Sequence, residues 1–315
     1  MEFYKFAAID IGSNAVRLLI MNVIPYDQNT IYHKVSLIRV PIRLGKDVFQ
    51  FGEIREQCMA HLMEAMRAFK LLMGIHQVMD VRTCATSAMR EASNSKVIIE
   101  MIRNETGIDV ELITGDEEAQ IIFSTEVAEY IDPEHSCLYI DLGGGSTELT
   151  VFADRRMVDS HSFDLGTVRV LQKGLDPKEW DELKNWVKNI KEVYNPSYII
   201  GSGGNIIRIA KLLGSYTESI LSFTLEQFND IVAQIKSLTT EERMIEMGMS
   251  PDRADVIIPA SEIFGNIMEW SGINKVYVPK GGLSDGIVRE LFKKHHTTSL
   301  PPTEMESQNL TSRKN

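Results

Sequence analysis

The sequence predicts an α/β fold made of two halves built on one plan, with a cleft between them. Ile9-Asp10-Ile11-Gly12-Ser13-Asn14 near the start returns as Ile140-Asp141-Leu142-Gly143-Gly144-Gly145-Ser146-Thr147-Glu148 in the middle. In each, an apolar run stops at an aspartate and passes through glycine into small hydroxyl or amide residues. Strand-like and helix-like segments alternate after both, and 315 residues suffice for two domains that each bury a core. Glycine lets such a turn point backbone N–H groups at an anion, and the acid at the strand end can hold a cation or a water beside it. One such loop is a weak signal; two, with the acid at the same offset, predict a duplicated phosphate clamp.

The elements follow in order. Phe6–Ile11, Val16–Val23 and Ser36–Ile42 read as strands, the first two forming a hairpin about Gly12. Ile54–Met73 has helical spacing, with Leu62, Met66, Phe69 and Met73 on one face. Val78–Ala85 is a strand, Ala88–Glu91 opens a helical stretch, and Ile98–Thr106 is a helix stopped by Gly107. Val110–Ile113 is a short strand, and Asp116 begins a helix reaching about Tyr130. The second half repeats the plan with strands at Leu138–Asp141 and Glu148–Ala153, a helix at Trp180–Val193, and a strand at Tyr198–Ile200 entering Gly201-Ser202-Gly203-Gly204. Helices at Ile206–Leu213, Leu225–Ser237 and Arg253–Trp270, a strand at Val276–Pro279 and a helix at Asp285–Lys294 complete it. The halves are expected to divide near Asp132-Pro133, giving domains at about 1–128 and 129–284. A C-terminal helix at about 285–296 packs back on the first, and a disordered tail spans 297–315.

Composition narrows the function. The formal charge of −11 argues against broad nucleic-acid binding, which needs a basic face, so an anionic ligand must meet a few placed arginines. No run approaches the length of a membrane span, and the N-terminal residues do not read as a secretory leader. Cys58, Cys84 and Cys137 are widely spaced and odd in number, reading as thiols in a reducing compartment. A cytoplasmic protein without membrane or nucleic-acid partners is expected. The His295-His296 pair reads as a solvated helix end.

Two further segments carry chemistry: Ala85-Thr-Ser-Ala-Met-Arg90-Glu-Ala92 and Thr114-Gly-Asp-Glu-Glu118-Ala119. Acids at 116–118 stand where a helix starts and suit its dipole, which is the ordinary reading of Glu117. Together with the two loops, Gly166-Thr167-Val168-Arg169 and Arg253-Ala254-Asp255, these segments resemble the exopolyphosphatase and guanosine pentaphosphate phosphohydrolase family, in its short two-domain form, from about residue 5 to about residue 294. The resemblance implies two duplicated actin-like (ribonuclease H-like) domains. It also implies metal-dependent hydrolysis of the terminal phosphoanhydride of inorganic polyphosphate, or of guanosine pentaphosphate, and a homodimer.

It assigns roles as well. Glu118 would be the general base, and Asp141 and Glu148, with Asp10, would hold Mg²⁺ or another divalent cation. Ser13, Asn14, Arg17, Arg90, Gly143, Gly144, Gly145, Ser146, Thr147 and Arg253 would bind phosphate, with Arg253 and lysines such as Lys173 on a groove for a long chain. The chain has Asn205 where the family usually carries threonine, Ala15 where serine is common and Ala260 where glycine is common, departures that bear on substrate choice. A kinase would need an acceptor-binding insertion and an adenosine site, and a non-catalytic sensor would bind these anions without releasing phosphate.

Overall fold

The structure, a computed structural model, describes residues 3–26, 29–123, 131–132, 134–214, 216–217, 220–279 and 281–299. Its first half contains β1 (Tyr4–Ile11), β2 (Val16–Tyr26), β3 (Asn29–Val40), β4 (Asp80–Ala85) and β5 (Glu111–Leu112). The second contains β6 (Cys137–Leu142), β7 (Thr147–Ala153), β8 (Arg156–Phe163), β9 (Tyr198–Ser202), β10 (Tyr216–Thr217), β11 (Ile220–Thr224) and β12 (Lys275–Val278). The first sheet runs β3-β2-β1-β4-β5, and β8-β7-β6-β9-β12 in the second repeats that order, with β11 and β10 added at the far edge. In each, an antiparallel hairpin carries the glycine loop and its first strand pairs in parallel with the next one inward. The duplication read from two short motifs is thus a duplication of topology.

The central strands are apolar because both faces are covered: every residue of β6, Cys-Leu-Tyr-Ile-Asp-Leu, is buried. The helices are α1 (Leu44–Phe51), α2 (Glu56–Ile75), α3 (Ser87–Glu91), α4 (Ser95–Thr106) and α5 (Gly115–Phe123) in the first half. Then follow α6 (Thr167–Lys173), α7 (Pro177–Tyr194), α8 (Gly204–Leu213), α9 (Leu225–Ser237), α10 (Thr240–Ile245), α11 (Pro251–Ala254), α12 (Ile257–Ser271) and α13 (Leu283–Ser299). Each half has its own core, and a third core joins Phe6 and Ala8 of β1 to Tyr139 of β6 through Ile121 and Ile122 of α5 and Ile287, Val288 and Leu291 of α13. The last helix does lie against the first sheet. Gly286 lets α13 cross α5 at backbone contact, since a Cβ there would strike the carbonyl of Ile121.

Several elements differ from the sequence reading, each for a physical reason. The expected helix 253–270 is two: α12 restarts at Ile257, which puts Pro259 in a first turn where its missing N–H costs nothing. Edge strand β8, Arg-Met-Val-Asp-Ser-His-Ser-Phe, is largely exposed and so lacks the apolar pattern that announces a strand. The short α1, α6 and α10 were too brief for periodicity to reveal, though a Thr239–Glu242 capping box starts α10. Residues 297–299, expected in the tail, close α13. His295 is not a plain solvated end: its Nε2 lies 2.8 Å from Asp80 Oδ2. The boundary at 128/129, the helix beyond Phe123 and the tail from 300 onward lie outside the described residues. Cys84 and Cys137 are buried and Cys58 half-buried, all as free thiols. Among the described residues no helix is long and apolar enough to cross a membrane.

Candidate active site

The two glycine loops turn in the same way. Gly12 N–H donates to the Ala15 carbonyl (3.2 Å) and Gly143 N–H to that of Ser146 (3.0 Å), so each loop closes one residue after its strand ends. Across the hairpins Asp10 pairs in register with Arg17, and Asp141 with Glu148. Arg17 and Glu148 therefore occupy equivalent places in the two halves with opposite charge. The loops also meet. A Cβ on Gly144 would lie 3.1 Å from Ser13 Cβ, and one on Gly145 would lie 2.8 Å from Ser13 Oγ. Glycine is required there by the approach of the opposite loop.

Between the loops lies a cavity of about 380 Å³ lined from both halves. Asp10, Glu118, Asp141 and Glu148 all face it. Glu118 arrives on the first turn of α5, where the Thr114 hydroxyl accepts the N–H of Glu117 (3.2 Å) and the Thr114 carbonyl that of Glu118 (2.9 Å). Glu117 points elsewhere, its Oε1 2.9 Å from Arg82 Nη2, and is a surface acid. Glu148 accepts from Ser146 Oγ (2.5 Å) and Ser162 Oγ (3.1 Å). Burial in company with other acids favours the protonated carboxyl. It pushes Asp141 to about 6, with Asp10 adding and Arg17 opposing. It pushes Glu148 to about 7, with Asp141 adding and its two serine donors opposing. Glu118 rises well above the usual carboxylate range through burial and then the charges of Glu148, Asp141 and Asp10, with Arg90 opposing.

Asp10 is held by an ion pair to Arg17, whose own pKa is raised chiefly by that charge. Among the described residues no three His, Cys, Asp or Glu side chains converge closely enough to cage a metal ion, so Asp10, Asp141 and Glu148 do not form one. The donor set nonetheless suits a hard cation. Mg²⁺ commonly takes only one or two carboxylates and completes its shell with waters and substrate phosphate. A buried acid cluster short of positive charge is where one would be stabilised.

The remaining expected residues divide. Ser13, Gly143, Gly144, Ser146, Arg17 and Arg253 line the cavity, and Ser13 Oγ lies 3.2 Å from Ser87 Oγ. Asn14 lines it too, but its amide Nδ2 is turned to the Asp252 carbonyl (3.1 Å). Gly145 is buried within the loop, and Thr147 is wholly buried with its hydroxyl donating to the Leu165 carbonyl. Neither lines the cavity: Gly145 is packed inside the loop against Ser13, Ser87 and Phe49, and Thr147 anchors the strand that leaves it. Arg90 stands behind the acids, donating to the Ile113 carbonyl (2.6 Å), and does not line the cavity. Lys173, at the end of α6, is also absent from the lining.

Sequence reasoning missed a set of cations on the cavity wall: Lys34 and Arg39 from β3, and Arg208 and Lys211 from α8. Their spacing matches no motif, because they converge only when β3 of one half faces α8 of the other. Arg253 sits among them, and burial together with Arg39, Arg17 and Arg208 lowers its pKa. Arg169, quoted in a motif without a role, holds the second loop from outside. Its Nε donates to the Gly145 carbonyl (2.6 Å), its guanidinium lies 4.2 Å from the Phe49 ring centroid, and Nη1 bonds Glu91 (2.9 Å).

The model of the Ppx/GppA phosphatase family matches residues 23–295. The chain belongs to that family. Exopolyphosphatase 2 of Mycobacterium tuberculosis is 28% identical to it over 92% of this chain and 99% of its own length. The exopolyphosphatase of Cytophaga hutchinsonii, a crystal structure, superposes with a TM-score of 0.81 at 25% identity, covering 92% of this chain and 98% of that one. A Ppx/GppA family member from Aquifex aeolicus superposes at 0.74 with 26% identity, over 93% of this chain and 99% of that one. The membership and the fold expected from the ordered motifs are therefore met along nearly the whole chain. In this family member the two glycine loops meet at the cavity.

Proposed function

We propose that this protein is an exopolyphosphatase that hydrolyses the terminal phosphoanhydride of inorganic polyphosphate with release of orthophosphate. The observation that carries the substrate choice is the number of cations in one cleft. Beside the acids Asp10, Glu118, Asp141 and Glu148, the same cavity is lined by Lys34, Arg39, Arg208, Lys211 and Arg253, with Lys34 paired to Asp285. A polyanion with many equivalent charges fits such a path. None of the described residues lining the cavity is aromatic, so it offers no aromatic ring to hold a guanine base.

The residues divide the work. The loop N–H groups around Ser13 and Gly144, with the Ser13 and Ser146 hydroxyls, hold the terminal phosphoryl group in line for attack. Glu118, in its deprotonated form, accepts the proton of the attacking water. Arg17 bridges acids and phosphate, and the distal cations hold the following phosphates through charge-assisted bonds. Asp141 and Glu148 would hold Mg²⁺, which when bound supplies positive charge to the phosphoryl oxygens.

Phosphate release from long-chain polyphosphate in the presence of Mg²⁺ tests the reading, with guanosine pentaphosphate run in parallel. Release from the nucleotide alone would overturn the substrate assignment, and tight binding without release would make the protein a sensor. Within this reading Arg208→Ala combined with Arg253→Ala should raise KM for long chains about tenfold or more, with kcat little changed. A kcat loss at unchanged KM would place these arginines at the reacting group instead.

The acid cluster yields a second expected result. In metal-free protein, Asp141 and Glu148 bind protons more tightly folded than unfolded. Their contribution to stability is complete below about pH 4 and is lost as pH rises through about 6 and about 7. The melting temperature should fall from pH 5 to pH 8 without metal. Added Mg²⁺ should raise it by roughly 3 °C or more at pH 8 and hardly at all at pH 5. A Mg²⁺ shift of equal size at both values would count against a cation at these carboxylates.

A further inference from the structure

The seam beside the cleft contains buried polar groups that the hydrolytic roles leave unexplained. Asp252, on α11 of the second half, is buried and touches two residues of the first. Its Oδ2 lies 2.5 Å from Arg39 Nη2, its backbone carbonyl accepts from Asn14 Nδ2 at 3.1 Å, and Oδ2 lies 3.4 Å from the same nitrogen. Both atoms that Asp252 offers are acceptors, which fixes the amide of Asn14 with its nitrogen toward the seam and not toward phosphate. One turn on, Asp255 Oδ2 pairs with Arg43 Nη1 at 2.7 Å. Around these contacts Asn14 Oδ1, Arg39 Nε, Arg43 Nε and Asp255 Oδ1 are buried without a hydrogen-bond partner. Such atoms are costly, so this seam is held by its few ion pairs and has little surplus stability of its own.

Resting on the exopolyphosphatase reading, we propose that Asp252 is a positioning residue that couples docking of the two halves to assembly of the substrate path. It tethers the first glycine loop through Asn14 and aims Arg39 into the cleft. Asn14 thus serves as the link between halves, and its side chain does not bind phosphate. Arg39 reaches the substrate only while Asp252 holds it, so the two act as a unit.

The test is a double-mutant cycle with Asp252→Ala and Arg39→Ala, reading both turnover of polyphosphate and calorimetric binding of tripolyphosphate. Each single variant should raise KM and the tripolyphosphate Kd about tenfold with kcat changed far less, and the double variant should be no worse than either. Asp252→Asn, which keeps an acceptor for Arg39, should recover most of the loss and serves if the alanine variant folds poorly. Additive effects would overturn the proposal. Tighter binding in Asp252→Ala would also overturn it, because Asp252 would then be competing with substrate for Arg39. A lowered melting temperature with unchanged KM and Kd would reduce Asp252 to a structural tie. Wild-type protein that binds tripolyphosphate without hydrolysing polyphosphate would sink the enzymatic reading and leave the binding cycle to decide this one.

Discussion

Replacing Glu118 by glutamine should lower kcat on polyphosphate about a thousandfold while leaving the Kd for tripolyphosphate within a factor of about three. The amide keeps the size of the side chain and its place on the first turn of α5, but it cannot take a proton from water. Glu118 faces the cavity beside Asp10, Asp141 and Glu148, and among the described residues no serine donates to it as Ser146 and Ser162 do to Glu148. On the proposed reading it is therefore the acid assigned to the attacking water. The same substitution removes an acid from beside the buried Asp10, Asp141 and Glu148, where desolvation first and then the charges of those three raise Glu118 well above the usual range. The variant should accordingly melt higher than the parent as it loses turnover, most clearly above pH 7 without metal. Activity and stability moving in opposite directions is a signature that a merely disruptive substitution would not give. Retention of more than about a tenth of the parent's kcat would remove Glu118 from the role of base.

Gly166→Ala should be nearly as damaging through geometry alone. Gly166 stands before α6 with extended backbone (φ −116°), so the conformation itself allows a side chain. The obstacle is space: a Cβ there would run into the backbone of Gly144 and Gly145, the centre of the second phosphate loop. Backbone cannot swing aside as a flexible side chain can. The loop must move, and on its other face it is already against Ser13, Ser87 and Phe49. Overpacking of this kind costs about 1–3 kcal/mol in stability. Displacing the loop by about 1 Å should cost turnover at least a hundredfold. Gly74→Ala is the control. That glycine lies in α2 with open space around it, and alanine there should stabilise by a few tenths to about 1 kcal/mol without affecting turnover. If Gly166→Ala turns over polyphosphate at the parent's rate, the loop is less closely fixed than its contacts require.

The expected residues that touch the glycine loops were legible because local chemistry forces them into one short segment. A buried strand, an acid at its end and glycines for the turn must be consecutive, so Asp10 to Asn14 and Asp141 to Glu148 announce themselves. The backbone support was legible only in part. Thr147 sits inside the motif, yet its hydroxyl serves Leu165 and its side chain faces away from the cleft, because residues alternate faces along β7. Arg90 likewise stands one layer behind the acids, donating to Ile113. Periodicity found the long elements and missed edge strand β8 and the short α1, α6 and α10, whose exposure or brevity removes the pattern on which it relies.

By itself the sequence determined the duplication, the α/β plan, the two loops and the acids at their ends, since each depends on neighbours along the chain. Only the tertiary structure decided which further cations share the cavity with those acids. Lys34 and Arg39 come from one half and Arg208 and Lys211 from the other, joining the Arg253 that its motif had marked, and no spacing in the chain relates them. It also decided that Asn14 turns its amide to Asp252, a partner 238 residues away. Contacts of that kind are set by how two sheets dock on a shared core of α5 and α13, and that docking depends on long-range packing, which leaves no local pattern to read.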